Sequence, residues 1–258
     1  MIATKMLRQD FLREKIITIV VFAFILLSAL LVASGANLIV DLSGALSALF
    51  ETAQAPHFVQ MHAGDINQAE INRWAARNSL VKEQQTVEMI TVDGSTLYVG
   101  DSQTAEEDSI MDISFVTQNR SFDFLLDLED RVIKVSPGEV AVPIYYMQRD
   151  DLKVGDTVRI SDGAFDKTFT IAAFVRDAQM NPSIVHSKRF LVHKDDYAAL
   201  REYFAETEYL IEFLLGDPGK VDRFSQAYQS SGLPKKGTAV DRNLFRTLNA
   251  LTDGIVAG

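Results

Sequence analysis

The chain has 258 residues, 47% of them hydrophobic and 23% charged, with a formal net charge of −10. That is enough for one large domain or two small ones with a real core, while the acidic balance and lack of a long basic cluster argue against nucleic acid as a partner. With no cysteine anywhere, disulfide scaffolds, thiolate metal sites and cysteine nucleophiles are excluded.

In chain order, Ile16 to Val40 contains no charged residue. Roughly 20 apolar residues span the hydrocarbon of a bilayer as a helix, so residues 16–40 are expected to cross a membrane. Lys5, Arg8, Arg13 and Lys15 precede the run, and the next basic residue is Arg73. That asymmetry places residues 1–15 in the cytoplasm and the rest outside. A cleaved signal peptide is the competing reading, with Ala33-Ser34-Gly35 as a cleavage site. The run exceeds the roughly 7–15 residues of a signal core, which favours an anchor.

Helical periodicity continues past the apolar run through Leu38, Leu42, Leu46, Leu49 and Phe50, up to Pro56. An amphipathic stalk over residues 41–55 is expected, and its stripe needs a partner. His57 to Ala63 reads as a strand. Asp65, with Gln68 after it, reads as a helix cap, and the helix runs to about Asn78. Val87 to Val92 and Ser95 to Val99 read as strands joined by an Asp93-Gly94 hairpin turn. Gly100 to Asp112 is acidic and is read as a solvated loop. It lacks the ligand spacing of a calcium loop.

Further strands are expected at Glu139–Val142, Asp156–Ile160, Thr168–Val175 and Phe190–Val192. A helix capped by Asp195 follows, then a buried strand Tyr209–Leu215. Asp217-Pro218 opens another helix, and a last strand lies near Thr238. Strand-helix-strand at each end suggests an α+β sandwich of ferredoxin-like type, with a β-rich subdomain inserted. The expected domains are 56–110 and 196–240 for the two parts of the sandwich and 111–195 for the insertion. From residue 241, Leu244, Phe245, Leu248, Leu251 and Ile255 again fall on one helical face. Residues 241–258 are expected to form a returning stalk helix at the start of a second membrane helix. Leu42, Leu46 and Leu49 would pack against Leu244, Leu248 and Leu251.

No catalytic or phosphate-loop motif is present. His57 and His62 are five apart on a strand and face opposite sides, which disfavours a shared metal. Asp150-Asp151 and Asp195-Asp196 read as turn or cap residues. The segment Asp177 to His186, with Met180-Asn181-Pro182, reads as an exposed connecting loop. No cofactor or metal is expected, and no catalytic residue.

The layout resembles the FtsX-like and MacB-like ABC transporter permeases. The local match lies at Gly138-Glu139-Val140-Ala141-Val142-Pro143 and Leu152-Lys153-Val154-Gly155-Asp156-Thr157-Val158-Arg159-Ile160. The resemblance implies strand, short helix and strand, the last entered through a turn at Gly155 and Asp156. It also implies a non-enzymatic permease of the bacterial cell membrane, multi-pass in the full protein, working as a homodimer or paired permease. Its partners would be a separate cytoplasmic ATPase, membrane lipid and an extracytoplasmic protein. ATP hydrolysis would drive shape change outside, for export, extraction or mechanotransmission. The alternative reading is the extracytoplasmic sensor of a membrane-bound signalling protein.

Overall fold

The computed structural model describes residues 15–180 and 187–242. Helix α1 (Lys15–Thr52) opens it. Its stretch Ile17–Leu38 is long and apolar enough to cross a membrane, with mean hydropathy 2.8 and none of it buried. The chain divides into two units, residues 1–45 and residues from Leu46 onward.

In the second unit the last turns of α1 bury Leu46, Leu49 and Phe50. The helix stops at a Schellman-type turn, before Pro56 is reached. Gln54 takes the left-handed conformation at φ 49°. Ala55 N–H donates to the Phe50 carbonyl at 2.9 Å and Gln54 N–H to that of Glu51 at 3.1 Å, the paired bonds that close a helix C-terminus.

The strands are β1 (Phe58–Ala63), β2 (Val81–Val92), β3 (Leu97–Val99), β4 (Asp112–Val116), β5 (Glu139–Pro143), β6 (Thr157–Ser161), β7 (Asp166–Val175), β8 (Ser187–Val192), β9 (Thr207–Leu215) and β10 (Ala239–Asp241). They form one mixed sheet in the order β10-β1-β9-β2-β4-β8-β5-β7-β6-β3. The helices are α2 (Gln68–Arg77), α3 (Ile144–Asp150), α4 (Lys194–Tyr203) and α5 (Val221–Gln229). The ends of the chain supply β1-α2-β2 and β9-α5-β10. These interleave so that β9 lies antiparallel between β1 and β2, and β10 lies antiparallel outside β1. The rest of the sheet joins through the antiparallel β2–β4 pair.

Alternation along the strands assigns the core. On β9, Ile211, Phe213 and Leu215 pack with Phe58, Phe224 and Tyr228 under α2 and α5. Leu210 packs on the opposite face with Val59, Val87, Met89, the α1 residues Leu49 and Phe50, and Ala53 just after the helix. A third cluster fills the β-rich part around Phe115, Phe169, Phe190 and Tyr146.

Several local expectations need correction. Asp93-Gly94 makes no β2–β3 hairpin. The Asp93 carboxylate accepts the Ser95 N–H at 2.8 Å and starts a 3₁₀ turn. That turn sends β3 away to pair with β6 at the far edge. The cap of α2 is Asn67, whose side chain accepts the Glu70 N–H, rather than Asp65. His193 caps α4 through Nδ1, which leaves Asp196 free to bond elsewhere. The acidic stretch after Gly100 ends in a strand, β4, that its charges conceal in the sequence. In the segment 177–186, Asp177, Gln179 and Met180 are buried rather than exposed, and residues 181–186 lie outside the described residues.

Candidate functional site: a buried charge network at the end of α1

The last turn of a helix leaves carbonyls without intrahelical partners. In α1 those of Leu49, Phe50 and Glu51 are met by the N–H groups of Ala53, Ala55 and Gln54, and the two residues just past the helix, Ala53 and Gln54, are held from the segment after β4. Phe124 N–H donates to the Ala53 carbonyl at 2.8 Å, and Asp123 N–H to that of Gln54 at 3.1 Å. The same segment is tied to the sheet, because Gln85 Nε2 on β2 donates to the Phe122 carbonyl at 2.9 Å.

Asp123 then reaches into the core. It is 1% exposed and faces Arg189 of β8, also 1% exposed. Arg189 Nη1 donates to Asp123 Oδ2 at 2.6 Å. The remaining guanidinium edge takes Asp177 through two parallel bonds, Nε to Oδ2 and Nη2 to Oδ1, each 2.7 Å. Asp177 Oδ1 also accepts the N–H groups of Gln179 (2.8 Å) and Met180 (3.0 Å), which folds the buried turn after β7. The planar fork of arginine suits this arrangement of two carboxylates; a lysine could not make both bonds to Asp177 and reach Asp123.

Burial opposes every charge here, and the partners decide the outcome. For Arg189 the cost of burial is outweighed by Asp123 and Asp177, so its pKa is raised. For Asp177 burial raises the pKa, yet Arg189 and the two backbone donors outweigh it and hold it below the usual carboxylate range. Glu212 is the opposite case. It lies fully buried on β9, and burial, helped by the charge of Asp123, pushes its pKa well up. Its donors are neutral amides: Gln85 Nε2 at 2.7 Å and Gln179 Nε2 at 2.8 Å. Burial thus favours the protonated, neutral form of Glu212, against the opposing pull of Arg189 and of the two amide donors. The Gln179 Oε1 has no donor as oriented; turned about its last bond, that amide would accept the acid's O–H. Lys188, next on β8, donates to the Met180 carbonyl at 3.0 Å. Burial lowers its pKa to about 8, against the pull of Asp177.

The network thus joins the end of α1 to β2, β8 and β9 and to the turn after β7. It holds no nucleophile beside a base. Among the described residues no group of three or more His, Asp or Glu side chains could hold a metal.

Of the residues singled out in the sequence, Leu46 and Leu49 are buried. Leu49 packs in the cluster beneath α1 with Val87, Leu125 and Leu210, and the side chain of Leu42 lies outside the described residues. Leu244, Leu248 and Leu251, and with them the returning stalk helix, lie outside the described residues. Gly155 sits at φ 100°, a conformation glycine adopts without strain. Asp156 Oδ2 accepts the Lys153 N–H at 2.7 Å. His57 and His62 each accept a backbone N–H through Nδ1, from Leu215 and Lys236. Burial, with Arg242 and Lys82 nearby, lowers the His57 pKa to about 4. Asp196 is buried, accepting the Gly138 N–H at 2.7 Å and the Lys167 ammonium.

The sequence reading passed over Arg189, Asp123, Asp177 and Glu212. A signal existed for Glu212, a lone carboxylate in the apolar run Tyr209 to Leu215. None marked Ser187-Lys188-Arg189, which reads as a solvated turn.

Comparison with protein-family models gives no match, and none is found among curated proteins. Among solved structures the chain is similar to the periplasmic region of MacB from Actinobacillus actinomycetemcomitans. The identity is 8% and the TM-score 0.41, over 77% of this chain and 94% of that one. It is also similar to a permease-protein domain from Porphyromonas gingivalis, at 12% identity and TM-score 0.38, over 69% of this chain and 85% of that one.

Proposed function

We propose that the chain belongs to a permease subunit of the FtsX-like and MacB-like type, non-catalytic itself, in which α1 crosses the cell membrane and passes motion to an extracytoplasmic domain. A separate cytoplasmic ATPase supplies the energy, and basic residues before Ile16 keep the N-terminus on that side. One observation carries this reading. The helix that contains the apolar run ends in the domain core, and the two residues that follow it, Ala53 and Gln54, are bonded through their carbonyls to the segment that Arg189 holds. Displacing that end would strain a buried ion network, and packed cores shift between discrete arrangements rather than deform continuously. The strand order β10-β1-β9-β2, with α2 and α5 sharing one apolar cluster, supports reading the two ends as a ferredoxin-like sandwich with β3 to β8 inserted.

The test uses the full chain purified from its native membrane in mild detergent. An ATP-hydrolysing subunit should copurify, and Asp123→Asn should change the turnover of the complex several-fold while Glu212→Gln leaves it unchanged. Copurification of an autophosphorylating kinase would favour the sensor reading. An ATPase indifferent to Asp123→Asn would remove the coupling role.

A further inference from the structure

Strands β4 and β8 run parallel, and outside their carboxyl ends lies an open groove of about 440 Å³. Crevices at the carboxyl ends of parallel strands are a recurrent ligand position, because chains diverge there, and small-molecule sites span roughly 300–1,000 Å³. The groove's apolar surface comes from Leu191 on β8 and from Val132 and Val135 on the segment leading to β5. Val132 is 41% exposed, an apolar side chain left open to water.

The charges around the groove reverse the sign of the protein. The chain has 35 acidic residues against 25 Lys and Arg, yet no acidic side chain lines this groove. Its ionisable groups are Arg120, Lys134, Lys194 and His193. Several cations elsewhere are neutralised: Arg131, Arg149, Arg159, Arg176 and Arg201 each hold a carboxylate. Among the described residues Arg120, Lys134 and Lys194 form no ion pair. Two acids touch lining residues from outside: Asp195 is directed at His193 Nδ1 at 3.4 Å, and Asp123 Oδ2 accepts from Asn119 Nδ2 at 3.1 Å while bound to Arg189. The walls are also rigid. Gln118 Nε2 donates to the carbonyls of Leu125 (2.8 Å) and Ile133 (3.2 Å), and its Oε1 accepts the Leu125 N–H at 3.0 Å. These bonds cross-brace the two segments that flank the groove, so it exists before any ligand arrives, which lowers the cost of binding.

We propose that this groove binds a small amphipathic anion, a molecule with an apolar body and a carboxylate or phosphate head. The body lies on Val132, Val135 and Leu191, and the head meets Arg120, Lys134 and Lys194. Both halves are needed to account for the lining: a bare anion has no use for exposed Val132 and half-buried Val135, and a neutral lipid has none for three unpaired cations. The inference stands on the groove alone and does not depend on the coupling role of α1.

The experiment uses the full chain in phosphatidylcholine nanodiscs. Thr117, on the groove wall, becomes a unique cysteine (Thr117→Cys) bearing a trifluoroethyl tag read by fluorine NMR. The probes are decanoate, decyl phosphate, decyltrimethylammonium, inorganic phosphate and a hexaglutamate peptide. Saturable shifts with both decanoate and decyl phosphate, absent with decyltrimethylammonium and inorganic phosphate, are the expected result. Comparing decanoate with decyl phosphate tells which head group is preferred. In the R120E/K134E variant the affinity should fall by at least about tenfold, with an unchanged melting temperature, because both side chains are exposed and unpaired. Equal response to the cationic amphiphile, or no loss in R120E/K134E, would overturn the proposal. So would a response to inorganic phosphate alone, or one to hexaglutamate without decanoate, which would make the groove a docking face for an acidic protein.

Discussion

The two faces of β1, β9 and β2 are built from the same strands and do opposite things. Under α2 and α5 the face is aromatic. Phe58, Phe213, Phe224, Tyr228 and Trp74 meet edge-on or tilted, with Phe213 and Phe224 centroids 4.9 Å apart and Trp74 and Phe224 5.6 Å apart. Under the end of α1 the face carries Glu212 and Gln85 and abuts the Arg189 network. Aromatic packing gives stability without demanding a single geometry, since apolar side chains can repack. A buried charge with two carboxylates tolerates only the positions that keep every bond. The lesson is one of division of labour: one face holds the domain together, and the other fixes where the end of α1 sits.

Several substitutions sharpen that contrast. The largest effect is expected at Arg189. Arg189→Met leaves Asp123 and Asp177 buried without a cation and should cost about 3–5 kcal/mol. Phe224→Ala should cost a similar amount, about 3–5 kcal/mol, by opening a cavity. Equilibrium unfolding in denaturant measures both. Conservative changes then separate the faces. Arg189→Lys keeps the charge but loses the fork and should still cost about 2 kcal/mol. Phe224→Leu should cost less than about 1.5 kcal/mol. Equal tolerance at the two sites would erase the distinction.

His57 gives a pH signature. Its pKa is lowered to about 4 from 6.5, so below 6.5 the unfolded chain binds the proton more readily than the folded one. The His57 contribution to stability should therefore fall as pH drops from about 6.5 to 4, by up to about 3 kcal/mol, opposite in sign to that of Glu212 in the same range. His57→Asn keeps an acceptor for the Leu215 N–H and should flatten that slope. Asp177, whose pKa is depressed, adds its loss only at lower pH, below the ordinary carboxylate value, so the two windows are separable. An unchanged slope in His57→Asn would mean the ring is not the group that titrates.

The smallest effect is expected at Glu212. Because its pKa is raised, its proton favours the folded state, and stability should decline as pH rises above about 4.3 toward the raised value. Glu212→Gln removes that slope and should change stability by less than about 1 kcal/mol, since the amide keeps the shape of the side chain and carries no charge to bury. A loss of several kcal/mol would show that Glu212 is ionised in the fold.

The sequence made visible those elements whose local rule and tertiary fate agree. The apolar run of α1, the alternation in β1 and β7 and the Asp217-Pro218 start were legible because hydrophobic periodicity and capping chemistry decide them locally. The β2–β3 hairpin was misread because Asp93 satisfies its own neighbour's N–H, and the pairing partner of β3 lies some sixty residues on, in β6. β4 was missed because its apolar core Ile113 to Val116 is short and follows an acidic stretch. The buried network was illegible for a different reason. Lys188 and Arg189 begin a strand that is buried along its whole length, and only the fold reveals that Asp123 and Asp177, 66 and 12 residues away, supply the carboxylates.

The central claim is that the end of α1 is held by the network and not merely near it. Amide hydrogen exchange on the full chain in nanodiscs tests it at two positions, the Asp123 and Phe124 N–H groups that bond to Gln54 and Ala53. In the wild type these amides should be protected nearly as strongly as those of β9, and in Arg189→Lys they should exchange faster while β9 stays protected. Exchange at Asp123 and Phe124 as fast as in an open loop, or protection that Arg189→Lys leaves unchanged, would contradict the account.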